Sequence, residues 1–201
     1  YGKVVNVTEC LLQSKATNVI LEAMREFART LDGRPGGRPY DGRTHQGFLR
    51  HLVIREGKTT GDRLVHLITT PGEFPADAWG EAMRAAAPDI TGLMWSVNSR
   101  LSDTALPEET RWTWGRAEVR ETVGGVTFRI SPTAFFQTNT RQAERLYREV
   151  GACVEANVNG GRGQAPPLRV VDVCCGTGGI GLTLAKRHPE FRDAPLVDAR
   201  P

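Results

Sequence analysis

The sequence predicts an α/β chain in two parts. Residues 1–130 read as an α+β domain with an antiparallel sheet, and residues 131–201 as the start of a Rossmann-like domain. Three observations predict this. Leu168 to Val173 (LRVVDV) is an apolar strand that runs directly into a glycine turn, Gly176 to Gly181, and then into helical spacing. Strand, glycine turn and helix in that order build a nucleotide-sized site at the carboxyl edge of a parallel sheet. Upstream, strand and helix signals alternate, and the pair Gly124-Gly125 marks a hairpin. Finally, 201 residues at 39% hydrophobic and 24% charged suffice for one core or two small ones.

Val4 to Leu12 reads as a short strand leading to Cys10. From Ser14, an N-cap residue, Val19, Ile20, Ala23, Met24, Phe27, Ala28 and Leu31 recur at helical spacing and predict an amphipathic helix. Asp32 to Gly47 is rich in Gly, Pro and Arg and reads as a long irregular loop. Phe48 to Arg55 and Leu64 to Thr70 read as strands joined through Gly57 to Gly61. Pro75 to Ala87 reads as a helix with Trp79 and Met83 on one face, and Ile90 to Asn98 as a strand. Glu118 to Val123 and Val126 to Ile130 form the hairpin. Asn139 with Gln142 makes a capping box for a helix through Ala143, Leu146, Tyr147, Val150 and Val154, and residues 157–167 form a flexible link.

The charge of +3 is mild. Arginines from Arg25 to Arg55, with His45 and His51 among them, outnumber the acids around them; such a run is more often a solvated face than a nucleic-acid site. No apolar segment has the length to cross a bilayer and the first residues carry no signal-peptide pattern, so a cytoplasmic protein without a membrane partner is expected. Cys10, Cys153, Cys174 and Cys175 form neither a disulfide framework nor a zinc pattern. The chain starts at Tyr1 and stops at Pro201, about one strand past the glycine turn, which reads as an internal fragment of a longer protein.

The glycine turn carries the chemistry. Glycines reach positive φ and keep no Cβ between a ligand and the backbone, while the first N–H groups of the next helix face outward. Asp172 stands four residues before Gly176, where a carboxylate either orders the turn or sits near the amino-acid part of S-adenosylmethionine. The acid-x-x-x-Gly-x-Gly spacing favours that methyl donor over NAD, and both over a turn with no ligand.

Ser131, Pro132, Phe135, Phe136, Gln137 and Asn139, followed by DVCCGTG at Asp172 to Gly178, resemble the RNA (uracil-C5) methyltransferase family, with further support from GFLRHLVIREG at Gly47 to Gly57. The resemblance implies an enzyme that makes 5-methyluridine in tRNA or rRNA, with S-adenosylmethionine as cofactor, RNA as partner and a monomeric state. It also implies that Gln137, Cys174, Gly176 and Gly178, together with Asp172, hold the donor, that Phe135 and Phe136 shape the donor and base pocket, and that Asp198 is the candidate ribose acid. By the same resemblance, several relatives carry an aromatic residue at the position of Cys174 and a polar one at Gly179, so this chain departs at both. Cys10 resembles the fourth ligand of the [4Fe-4S] cluster in rRNA-directed relatives, which tilts the expectation toward rRNA; a small buried cysteine is the equal alternative.

In that family a cysteine thiolate adds to uracil C6, C5 attacks the sulfonium methyl, and a carboxylate removes the C5 proton. Both groups would lie beyond Pro201, so no catalytic residue is assigned here and these 201 residues alone are expected to be inactive. Two alternatives stand beside this reading: a methyltransferase on another substrate, and a non-catalytic RNA-binding module with a vestigial donor loop.

Overall fold

A computed structural model of the chain describes residues 7–11, 13–31, 37–102, 104–159, 170–173, 175–189 and 196–197. Their packing divides into two units: the first runs from Tyr1 to Glu56 and from Gly61 to Val119, and the second joins Gly57–Thr60 to Arg120–Pro201.

In the first unit, α1 (Lys15–Thr30) begins where the Ser14 hydroxyl accepts a hydrogen bond from the Thr17 amide at 3.1 Å, as its capping residue predicts. Its stripe of Ile20, Met24 and Phe27 is buried, and each such side chain contributes about 2 kcal/mol. Val19, expected on that stripe, is exposed. Val7–Leu11 form no strand: the Asn18 side chain takes both the amide and the carbonyl of Cys10, so this segment's polar groups bond to α1 instead of to a ladder.

Strands β1 (Leu49–Glu56), β2 (Arg63–Thr69), β3 (Gly92–Val97) and β4 (Glu109–Gly115) make one sheet in chain order. The expected antiparallel sheet is corrected to a mixed one. β1–β2 and β3–β4 are antiparallel, but β2 and β3 run parallel, Leu64 opposite Gly92 through Thr69 opposite Val97. The cause is α2 (Ala76–Ala86), which lies between them in the chain and supplies the crossover that a parallel pair needs. Every residue of β2 and β3 is buried. Trp79 and Met83 of α2 are fully enclosed and join Ile20, Phe27, Leu67, Leu93 and Trp95 in one core.

The Gly/Pro/Arg-rich stretch is more regular than expected from residue 37 onward. The Asp41 amide bonds to Gln46 O at 2.7 Å, Tyr40 N to Leu49 O at 2.8 Å and Phe48 N to Arg38 O at 2.7 Å. A Cβ on Gly47, at φ +113°, would lie 2.1 Å from the Pro39 carbonyl oxygen, so only glycine closes this turn. Arg50 of β1 donates to the carbonyls of Asn98 (2.9 Å), Arg100 (2.6 Å) and Ser102 (2.7 Å), and its guanidinium lies 4.3 Å from the Tyr40 ring centre.

The second unit takes in, from Arg120 onward, the hairpin of β5 (Val119–Val123) and β6 (Val126–Ile130). Gly124 and Gly125 turn it at φ +58° and +79°, the double positive φ that a tight hairpin turn requires. α3 (Thr140–Asn159) starts at Asn139, whose Oδ1 accepts from the Gln142 amide at 3.2 Å. The helix runs to Asn159, so residues 157–159 of the expected link are helical, and the rest of it lies outside the described residues. β7 (Asp172–Val173), α4 (Gly179–Arg187) and β8 (Leu196–Val197) follow, with β7 and β8 parallel.

Candidate functional site

The site is built from the residues between β7 and α4. Gly176 and Gly178 hold φ of +55° and +74°, which a side chain would strain, and the Gly178 amide donates to Cys175 O at 2.8 Å to close the turn. Where a Cβ on Gly176 would sit there is open space. A helix leaves its first N–H groups without intrahelical acceptors, and Asp172 takes one of them: its Oδ2 accepts from the Gly181 amide at 2.9 Å. The carboxylate therefore orders the turn, one of the two roles its spacing offered, and its negative charge stands at the positive end of α4.

Tyr147 of α3 closes one side. A Cβ on Gly179 would lie 2.5 Å from the Tyr147 hydroxyl, so the glycine at this position is matched to the tyrosine. Burial, and then the charge of Asp172, push the Tyr147 phenol above its ordinary pKa, which keeps the hydroxyl protonated at neutral pH.

The expected site residues fall into three groups. Asp172, Gly176 and Gly178 share the turn. Phe135, Phe136 and Gln137 lie on the connection from β6 to α3, where Phe136 is buried with its ring centre 5.4 Å from that of Phe128, while Phe135 is 74% exposed. Gln137 is exposed and makes no side-chain hydrogen bond among the described residues. Phe136 thus anchors the connection and Phe135 and Gln137 are presented to solvent. Cys174 and Asp198 lie outside the described residues. Cys10 is a half-buried free thiol, and no group of three or more metal-ligating side chains occurs among the described residues, so the donor set of a cluster is not assembled there. None of the described helices is long and apolar enough to cross a membrane.

Sequence reasoning missed Glu121. It is 2% exposed and accepts from the amides of Lys58 (2.5 Å), Thr59 (3.0 Å) and Thr122 (3.0 Å), from the Thr140 hydroxyl (2.9 Å) and from the Thr59 hydroxyl. Its one sequence signal was an acid at a position whose neighbours in β5, Val119 and Val123, also face inward. In the first unit, an open cleft of about 480 Å³ is lined by Arg38, Gln46, Thr70 and Glu73 beside the 37–48 turn.

No family model matches the chain. Individual proteins do. It is 32% identical over 196 residues to an RNA methyltransferase of Halalkalibacterium halodurans, spanning 97% of this chain and 40% of that protein. Identity is 37% over 187 residues with an RNA methyltransferase of Nitratidesulfovibrio vulgaris, covering 92% and 37%. With the tRNA (uracil(54)-C(5))-methyltransferase of Pyrococcus horikoshii it is 33% over 187 residues, covering 93% and 40%. The crystal structure of the Pyrococcus abyssi tRNA (uracil-54, C5)-methyltransferase in complex with S-adenosyl-L-homocysteine superposes with a TM-score of 0.71 at 29% identity, over 92% of this chain and 42% of that one. The chain thus spans about two fifths of the length of the relatives it matches.

Proposed function

The chain belongs to the RNA (uracil-C5) methyltransferase family, and on that premise we propose that its protein methylates C5 of a uridine in RNA, with S-adenosylmethionine as the methyl donor. The observation that carries the reading is the glycine turn: two positive-φ glycines, open space beside Gly176, and a carboxylate that aligns the head of α4. Such a turn accepts a nucleoside and its polar tail along exposed backbone. S-adenosylmethionine would supply an electrophilic methyl on a sulfonium. This chain's residues would hold it: Gly176 and Gly178 by close backbone approach, Asp172 by fixing the turn, and Gln137 and Phe135 from the connection ahead of α3. Residues 131–201 then open the methyltransferase domain, and residues 1–130 form the RNA-facing one.

The expectation of rRNA rested on Cys10 alone. Two relatives whose names state a substrate, those of Pyrococcus horikoshii and Pyrococcus abyssi, are tRNA enzymes, which supports tRNA as the substrate to test first. Calorimetric titration with S-adenosyl-L-homocysteine tests the donor site: saturable binding that Gly176→Val abolishes is expected, and equal binding by the variant would refute it. Methyl transfer to tRNA and to 23S rRNA transcripts by the full protein then decides the substrate.

A further inference from the structure

The geometry of Glu121 points to a role beyond packing. Taking a carboxylate out of water costs several kcal/mol unless hydrogen bonds replace the lost solvent. Here five donors do so, and none carries a formal charge: three backbone amides and two threonine hydroxyls. The donors come from three places in the second unit. Lys58 and Thr59 belong to its 57–60 segment, Thr122 to β5, and Thr140 is the first residue of α3.

Thr140 gives the arrangement its reach. An α-helix is stiff along its axis and rises about 1.5 Å per residue, so Tyr147 stands roughly 10 Å further along α3. There its ring and hydroxyl fill the space over Gly179, the first residue of α4 and the last of the glycine turn's close neighbours. The same bond at Thr140 fixes the far end of the connection that carries Phe135 and Gln137, because Asn139 caps the helix one residue earlier.

We propose that Glu121 is a positioning residue for the donor site. It holds α3 at Thr140, and α3 in turn sets where Tyr147 presses on the glycine turn and where the Phe135–Gln137 connection ends. This rests on the donor-binding reading above.

Two threonines on one carboxylate allow a clean test in the full protein. Thr140→Val breaks the bond to α3, and Thr59→Val breaks a bond of the same kind to the 57–60 segment together with the one its hydroxyl accepts from the Thr122 amide at 2.9 Å. Both are near-isosteric and milder than Glu121→Gln. Affinity for S-adenosyl-L-homocysteine is read by calorimetry and the melting temperature in parallel. Thr140→Val is expected to weaken binding about tenfold, or about 1.4 kcal/mol, and Thr140→Ser to restore it. Thr59→Val is expected to keep affinity within about twofold while lowering the melting temperature as much as Thr140→Val does. Equal affinities for Thr140→Val and wild type, or equal losses in both valine variants, would overturn the positioning role and leave the donor site intact. No binding by the wild type would overturn the donor reading and this inference with it.

Discussion

The two units carry strands of similar apolar character but cover them differently. In the first, β2 and β3 expose no residue and two amphipathic helices close the core. In the second, Val173 of β7 is 66% exposed and Val171 just before it 50%. The difference teaches what sets each shape: side-chain packing sets the first unit's core, while glycines and one carboxylate, Asp172, set the backbone of the turn between β7 and α4.

The strongest test of that contrast is Trp79→Ala. The indole is fully enclosed and its loss should cost about 3–5 kcal/mol, seen as an earlier urea transition by circular dichroism; a loss under 1 kcal/mol would break the comparison. His66 sharpens it next. Burial, and then the charge of Arg55, hold its pKa down to about 4, against an ordinary value of 6.5. The unfolded chain therefore takes up a proton first as pH falls, so stability is full above pH 6.5 and declines between 6.5 and 4 by up to about 3 kcal/mol. Urea midpoints across that range should show the decline, and His66→Asn should flatten it.

Gly179→Ala probes the second unit. The new methyl meets the Tyr147 hydroxyl, and a cost of about 1–3 kcal/mol is expected; Tyr147→Phe should recover part of it in the double variant. An increase in stability would show that the tyrosine is not seated there. The smallest effect is at the helix cap: Ser14→Ala should cost about 1 kcal/mol in urea.

Local signals were legible in the sequence. Ser14, Asn139 and the Gly124-Gly125 pair each act within a few residues, and each sits where its chemistry placed it. The parallel pairing of β2 with β3 was not legible, because periodicity marks strands without stating their direction. β4 was missed: its residues are largely exposed, and Trp112 faces α2 through a bond to Asp77. Asp172 was legible as important and ambiguous in role, since spacing alone cannot tell a turn-ordering carboxylate from a ligand-facing one. Glu121 was invisible because its partners lie up to 63 residues away in the chain.

Arg50 carries a last consequence. Three of its five N–H donors go to backbone carbonyls, one face lies against Tyr40 and its Nε is buried, so little of its fork is left to grip a phosphate. Its charge still reaches outward. Toward a polyanion, an arginine of this kind speeds arrival without lengthening residence. Arg38, which lines the open cleft, makes no ion pair among the described residues. Replacing Arg50 with a neutral residue should therefore loosen the 98–102 segment far more than it changes the grip on any polyanion.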